Sequence, residues 1–328
     1  MKTDRRGFLL AVAAAAGCRS GRRGPARKLT VGLGSYHTMS PFYLAYERGY
    51  FHDAGLDIQT HVARNTSEAM PLLAQGALDV GLFSLSSGLC NLVAKGAPIR
   101  IAAARDCVAE CVDVAVLYER KASFPHGDDA GAAWEGKRVA LPQRGAVSDY
   151  WFDVLRERLK LPPRAVHKMY MDRAAGLAAL LSGGVDAMLN GFAFPIDLGA
   201  RSGEFLRNDT VGHTMQGSQF SYIMFSRKLI EDDPELGADF LRAFFRGTRE
   251  YVAGATPAFL RNWASENGMD PEAVAHVCRN TVVPGGTVDV ADLQKFLDWL
   301  ADSHYIQPMR AEALADSRWL ERVRRKNS

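Results

Sequence analysis

The sequence predicts an α/β architecture of two similar lobes, each a mostly parallel sheet flanked by helices, and two observations carry that expectation. The first is an internal repeat. Leu73, Gly76 and Asp79 recur with the same spacing as Leu180, Gly183 and Asp186, and an apolar stretch follows each aspartate. A glycine that can take a positive φ ends a helix, and a short buried strand follows. The second observation is that the upstream context repeats in the same order. Val31 lies 48 positions before Asp79, and Val139 lies 47 before Asp186. Such spacing suits two β-α-β-α-β units.

In the first unit, a strand Leu29–Gly34 opens into the loop Ser35–Ser40. A helix Pro41–Arg48 follows, with Phe42, Leu44 and Ala45 near helical spacing. Leu56–Val62 reads as the next strand, Leu85–Lys95 as a helix and Ile99–Ala104 as an apolar strand. A strand Val112–Tyr118 leads toward the second lobe, and 121–135 reads as a loop. The second unit has a strand at Arg138–Leu141, a helix Asp149–Leu159 and a strand Val166–Tyr170. Val211–Phe225 reads as extended chain returning to the first lobe. The remainder is predicted helical: Pro234–Ala253, Pro257–Asn267, Pro271–Arg279, Val290–Ser303 and Ala311–Val323. Proline at several of these starts suits a first helical turn.

The chain has 328 residues, 47% hydrophobic and 23% charged, a globular balance that excludes a disordered or fibrous class. The net charge is +3, of which the first seventeen residues carry +2 through Lys2, Arg5 and Arg6 against Asp4. A nearly neutral body has no field to gather a polyanion, so nucleic acid is not an expected partner. No apolar run is long enough for a permanent membrane span.

The N-terminus reads as an address. Arg5-Arg6-Gly7-Phe8-Leu9 resembles a twin-arginine export motif, and Phe8–Ala16 is a short apolar stretch of secretory type. Ala15-Ala16-Gly17-Cys18 resembles a lipobox. Residues 1–17 are then a signal peptide, Cys18 is the lipidated mature N-terminus, and 18–28 form a polar tether at the outer face of the cytoplasmic membrane. The other cysteines are Cys90, Cys107, Cys111 and Cys278, with no C-x-x-C and no disulfide framework. For Cys107 and Cys111, four apart, a bridge, a metal site and packed thiols all fit the spacing.

Over residues 29–200 the chain resembles the periplasmic substrate-binding proteins of ATP-driven importers, in the nitrate, sulfonate, taurine and thiamine-precursor group. The block from Ala45-Tyr46-Glu47-Arg48-Gly49-Tyr50-Phe51 to Ile58, the stretch Leu72–Pro98 and Trp134-Glu135-Gly136-Lys137-Arg138-Val139 carry the resemblance. It implies a two-lobed periplasmic binding protein type II fold joined by two crossing strands, with lobe 1 at 29–115 and 216–328 and lobe 2 at 116–215. It also implies a small-molecule ligand clamped between lobes, a partner permease with its ATPase, no cofactor and no catalysis.

In open α/β sheets ligands bind beyond the carboxyl ends of the strands. The candidate contacts there are Tyr36, His37, Thr38 and Ser40 after the first strand; Phe83, Ser84 and Ser86; Asp106; Arg144 and Gly145; and Asn190 and Phe192. Helix N-termini at these loops would offer backbone N–H groups to an anion. Ser84 and Ser86 serve equally as helix caps, Tyr36 and Phe192 as interface packing, His37 as a core histidine and Arg144 as a solvated cation. Asp79 and Asp186 read as structural groups at the helix-to-strand turn. Ala146, where many relatives have a hydroxyl residue, and the lack of tryptophan around Asn190 weaken a sulfonate assignment and leave room for a pyrimidine-like ligand. The alternatives are an enzyme resembling the pyrimidine-precursor synthases of the same fold, for which Cys107–Cys111 is a poor copy of the expected motif, or a ligand-sensing module for a receptor. G-x-S-x-G, H-E-x-x-H and P-loop motifs are absent.

Overall fold

The computed structural model describes residues 25–63, 66–109, 115–124, 131–162, 164–191, 203–272, 279 and 281–325. The address motifs, Cys18, Cys111, Cys278 and Phe192 lie outside them. The strands are β1 Arg27–Leu33, β2 Leu56–Val62, β3 Val80–Ser84, β4 Arg100–Cys107, β5 Ala115–Arg120, β6 Lys137–Leu141, β7 Val166–Tyr170, β8 Ala187–Gly191, β9 Phe205–Thr210 and β10 Gln219–Phe225. Interleaved helices are α1 Ser40–Glu47, α2 Tyr50–Asp53, α3 Thr66–Ala74, α4 Ser87–Ala94, α5 Val147–Arg158, α6 Arg173–Ser182, α7 Val211–Thr214, α8 Pro234–Val252 and α9 Ala258–Glu266. Helices Val290–Asp302 and Arg318–Arg325 follow.

The strands form two five-stranded mixed sheets, ordered β2-β1-β3-β10-β4 and β7-β6-β8-β5-β9. In each, the first three strands pair parallel, and the fourth is antiparallel to both its neighbours. Four strands of each sheet therefore run one way. The opposed strand in each case, β5 or β10, has just crossed from the other sheet, so the sheets share one topology.

The repeated aspartate fixes the start of the third strand in both. The Asp79 N–H donates to the Thr30 carbonyl and its carboxylate accepts from the Thr30 N–H, both at 2.8 Å. Asp186 repeats this on Arg138, at 2.9 and 2.8 Å. Gly76 and Gly183 have φ of 75° and 80°, as the helix-ending glycines require. Asp79 and Asp186 are thus structural, bonded at the strand edge opposite the candidate site.

One apolar core lies between the first sheet and α1, α2 and α8, around Leu29, Val31, Phe42, Phe240 and Phe244. α8 and α1 approach closely at Gly247, where a Cβ would lie 2.6 Å from that of Ala45. A second core runs continuously from the first sheet into the second, joining Leu85, Leu89 and Phe220 to Val147, Trp151 and Phe152 and to Leu293 and Leu297.

Two expectations are corrected, and one strand was not expected. Val211–Phe225 is not extended throughout: it is α7 followed by β10. β9, with the polar sequence Phe205-Leu206-Arg207-Asn208-Asp209-Thr210, gave no apolar signal because it is the last strand of its sheet and pairs only with β5. Ala311–Val323 is not one helix. A short 3-10 turn at Ala311–Ala313 gives way to chain that pairs with Ile101 before the helix Arg318–Arg325 begins.

Candidate functional site

The carboxyl ends of the two sheets meet. The loop after β3 touches the loop after β6 through a backbone bridge between Ser86 and Ala146, with the Ser87 N–H donating to the Gly145 carbonyl at 2.7 Å. Gln143 adds a side-chain bond to Ser67 at 2.9 Å. Gly145 is required for this approach. Its φ is +63°, and a Cβ there would lie 2.5 Å from Ser87 Oγ and 3.1 Å from Ser87 Cβ.

On the first-sheet side, Tyr36 and His37 lead into a 3-10 turn at His37–Met39 and then α1. Both are partly buried. Burial raises the Tyr36 hydroxyl pKa, against Arg173 at the start of α6 on the other sheet. The His37 ring lies 5.6 Å from that of Trp263, whose indole N–H donates to the Ser35 carbonyl at 3.1 Å. The His37 Nδ1 is buried, and desolvation followed by repulsion from Arg105 pushes the imidazole down to about 4. Ser40 Oγ donates to the His37 carbonyl at 2.6 Å.

Beneath this turn lies a buried ion pair that the sequence did not announce. Arg105 Nη2 lies 2.7 Å from Asp106 Oδ2. Arg105 also donates to Ser221 Oγ and, at 2.7 Å, to the Thr38 carbonyl. Desolvation raises Asp106 to about 6, with Arg105 pulling the other way. Asp106 is wholly buried, so it supports the floor of the site from below. Phe83 is also interior, packed over Gly32. Ser84, half-buried, closes β3 opposite Ser221. Ser86 is the N-cap of α4, its Oγ accepting from the Leu89 N–H at 3.4 Å.

On the second-sheet side the N–H of Gly145, just before α5, is bonded within the protein. Asp149, in the first turn of α5 and wholly buried, accepts from the Gly145 N–H at 2.9 Å, the Tyr305 hydroxyl at 3.0 Å and the Tyr170 hydroxyl at 3.1 Å. Its other oxygen takes Lys168 Nζ at 2.6 Å. The N–H groups of Ser87 and Gly145 are therefore already bonded within the protein. Arg144 is exposed, with its guanidinium 5.3 Å above the Tyr305 ring. Asn190 lies in β8 opposite Val116.

The structure thus brings Tyr36, His37, Ser84, Ser86, Arg144 and Gly145 to the junction, and places Phe83 and Asp106 behind it. Sequence reading missed Arg105, Tyr170 and Tyr305. The last rests on a helix-ending turn with no glycine to mark it: His304 holds φ of +58°, and the Tyr305 N–H bonds the Leu300 carbonyl at 2.8 Å.

With this geometry in hand, the comparisons with known proteins are specific about family. The NMT1/THI5-like family profile matches residues 36–258, and the chain belongs to that family. No curated relative matches the sequence. Among solved structures, the ligand-binding component of an ABC-type import system from Staphylococcus aureus, with zinc bound, superposes with a TM-score of 0.71 at 11% identity, over 90% of this chain and 99% of that one. The periplasmic nitrate-binding protein NrtA from Synechocystis PCC 6803 gives 0.69 at 12% identity, over 92% and 89%. The periplasmic aliphatic sulphonate-binding protein SsuA from Escherichia coli gives 0.68 at 15% identity, over 89% and 92%. The two-sheet architecture is that of these periplasmic binding proteins.

Proposed function

We propose that the protein is the extracytoplasmic solute-binding component of an ABC importer, which captures a small nutrient between its two sheets and delivers it to a membrane permease. The observation that carries this reading is the meeting of both sheets' carboxyl ends at Ser86 and Ala146, where loops from two similar halves can grip one molecule and ligand contact can be coupled to closure. The named functions of the structural neighbours agree with it. We place lobe 1 at 29–115 and 216–328 and lobe 2 at 116–215, with 18–28 as a tether anchored by lipid on Cys18 after removal of residues 1–17. No helix among the described residues is long and apolar enough to cross a membrane, which is compatible with such an anchor. The ligand contacts we assign are Tyr36, His37, Ser84, Arg144, Gly145, Asn190 and Phe192.

The second reading, an enzyme related to pyrimidine-precursor synthases, is favoured by the family profile. Against it, burial and the nearby Asp106 and Asp292 push the Cys107 thiol up to about 11, which disfavours the thiolate at neutral pH. Thermal denaturation of residues 19–328 against nitrate, sulfonates, taurine and pyrimidines separates these readings. A ligand raises the melting temperature by mass action and is recovered chemically unchanged. No shift with any compound removes the transport reading, and recovery of a converted compound establishes the enzyme.

A further inference from the structure

We propose that Arg105 is the positioning residue of the first-sheet side of the cleft: from within the sheet it fixes the loop Ser35–Ser40, and so sets where Tyr36 and His37 stand for a ligand. This deepens the solute-binding reading and rests on it. The carbonyls of four consecutive loop residues each take a donor. Ser35 takes the Trp263 indole N–H at 3.1 Å, Tyr36 the Met39 N–H at 2.9 Å, His37 the Ser40 hydroxyl at 2.6 Å and Thr38 the Arg105 Nη1 at 2.7 Å. Met39 and Ser40 belong to the loop's own turn and move with it. Of these four donors, Trp263 on α9 and Arg105 on β4 tie the loop to other elements. Burial raises the Tyr36 hydroxyl pKa, and the charge of Arg173, at the start of α6 on the second sheet, opposes the rise. The loop that Arg105 holds therefore carries a side chain near both sheets.

The guanidinium is planar, and its other edges are anchored in the sheet. Nε donates to Ser221 Oγ at 3.0 Å, and Nη2 lies 2.7 Å from Asp106 Oδ2. Such a fork fixes the direction of Nη1, so the Thr38 carbonyl has one place to sit. Nη1 also lies 3.5 Å from Met39 Sδ, in the same turn. A lysine ammonium is a single point charge and could hold Asp106, but not three partners in one plane. Arg105 and Asp106 are 4% and 0% exposed. A buried ion pair is a poor source of stability, because the desolvation of both charges offsets their attraction; what this one supplies is direction. Its anchors also lie where the sheets are joined. β4 leaves the first sheet through Val108, and β10 enters it through Gly217 and Ser218. These two segments are bonded to each other, the Val108 N–H to the Ser218 carbonyl and the Gly217 N–H to the Val108 carbonyl, both at 2.8 Å. Arg105 thus holds the loop against the two strands that carry the connections between the sheets.

The test compares the full chain carrying Cys18→Ser with the same chain carrying Arg105→Lys. Both are titrated calorimetrically at pH 7 with nitrate, ethanesulfonate, taurine, uracil and cytosine, and their nitrogen-15-labelled indoles are followed by NMR. The chain has five tryptophans. The Trp263 indole N–H reports the loop through the Ser35 carbonyl, and Trp134, Trp151, Trp299 and Trp319 serve as internal references. Arg105→Lys is expected to melt cooperatively, with the Trp263 signal displaced and exchanging with solvent about tenfold faster, and with the four references unmoved. The probe that binds the native chain best should bind about tenfold more weakly, the weight of one charge-assisted hydrogen bond. A merely structural role gives the opposite split, a lower melting temperature with the Trp263 signal and the affinity both unchanged, and that result overturns the inference. Asp79→Asn, at the strand edge away from the cleft, controls for general destabilisation and should show that split; a Trp263 displacement there as large as in Arg105→Lys also overturns the inference. If Arg105→Lys fails to fold, Ser221→Ala takes its place. It keeps the ion pair and removes the hydroxyl that aims the fork, so it should move the Trp263 signal and weaken the same probe, and no change in either overturns the inference. Silence from every probe on the native chain removes the solute-binding reading and the inference with it. Unchanged affinity for a bound probe in folded Arg105→Lys removes the inference alone.

Discussion

Asp186 shows how one side chain holds an element in register. Its carboxylate takes the Arg138 N–H and, at 2.9 Å, the Ser123 hydroxyl. Burial opposes the charge, and hydrogen bonds from Arg138 and Ser123 outweigh it to hold the carboxyl below its usual range. Asp186→Ala strands a strand-edge N–H, and should cost about 1–3 kcal/mol in urea denaturation while ligand affinity stays unchanged. His37 makes a pH-dependent contribution. Its folded pKa, about 4, lies below the usual 6.5, so the unfolded chain takes up the proton first. Stability from this group is full above pH 6.5 and falls as pH drops toward 4, by about 2 kcal/mol after allowance for its partial exposure. Asp106, raised to about 6, works the other way, gaining stability as pH falls from 6 toward 3.8. Comparing urea midpoints of the native chain and His37→Gln at pH 7 and pH 5 isolates the histidine: the variant should lose less on acidification, and equal losses would exclude the assignment.

At the scale of elements, what could be read from sequence and what could not divide on physical grounds. The glycine-aspartate repeat was legible because a positive φ and a paired strand edge each demand a particular residue type at a fixed spacing. The loops after β1, β3 and β6 were legible because the ends of parallel strands can be located from the strands themselves. β9 was not, because an end strand needs little apolar sequence. Nor was the internal bonding of the α4 and α5 N-termini, because sequence cannot show that Asp149 turns back to Gly145 or that Tyr305, 156 positions away, reaches it. The helix Val290–Asp302 does that positioning. It is tied to the first sheet through Asp292, which accepts from the Gln219 N–H and from Ser218 Oγ at 3.0 Å. It is tied to α5 through Trp299, which donates to Asp153 at 3.1 Å. It ends at His304, a non-glycine in the left-handed region. His304→Gly should relieve that strain and raise stability by about 1 kcal/mol in chemical denaturation; a loss of stability would show that the imidazole itself holds the turn.

Across the whole molecule, the two sheets share a strand order, an aspartate anchor and a direction of approach, and an apolar core runs between them. Each crossing strand enters its sheet as the opposed fourth strand, so the connections into β5 and β10 lead to strand starts at the end of the sheet where the carboxyl ends meet. Small rotations about those connections would open or close the cleft without disturbing either sheet. A ligand that favours the closed arrangement must touch both sides, since a molecule equally bound in either arrangement shifts nothing.

Hydrogen exchange with and without a saturating ligand identified by titration tests that claim directly. Protection is expected together in the loops around 35–40 and 84–88 of the first sheet and 143–149 of the second, with the outer strand starts at Asp79 and Asp186 unchanged. Protection confined to one side, or appearing only away from these loops, would contradict a clamp built from two halves.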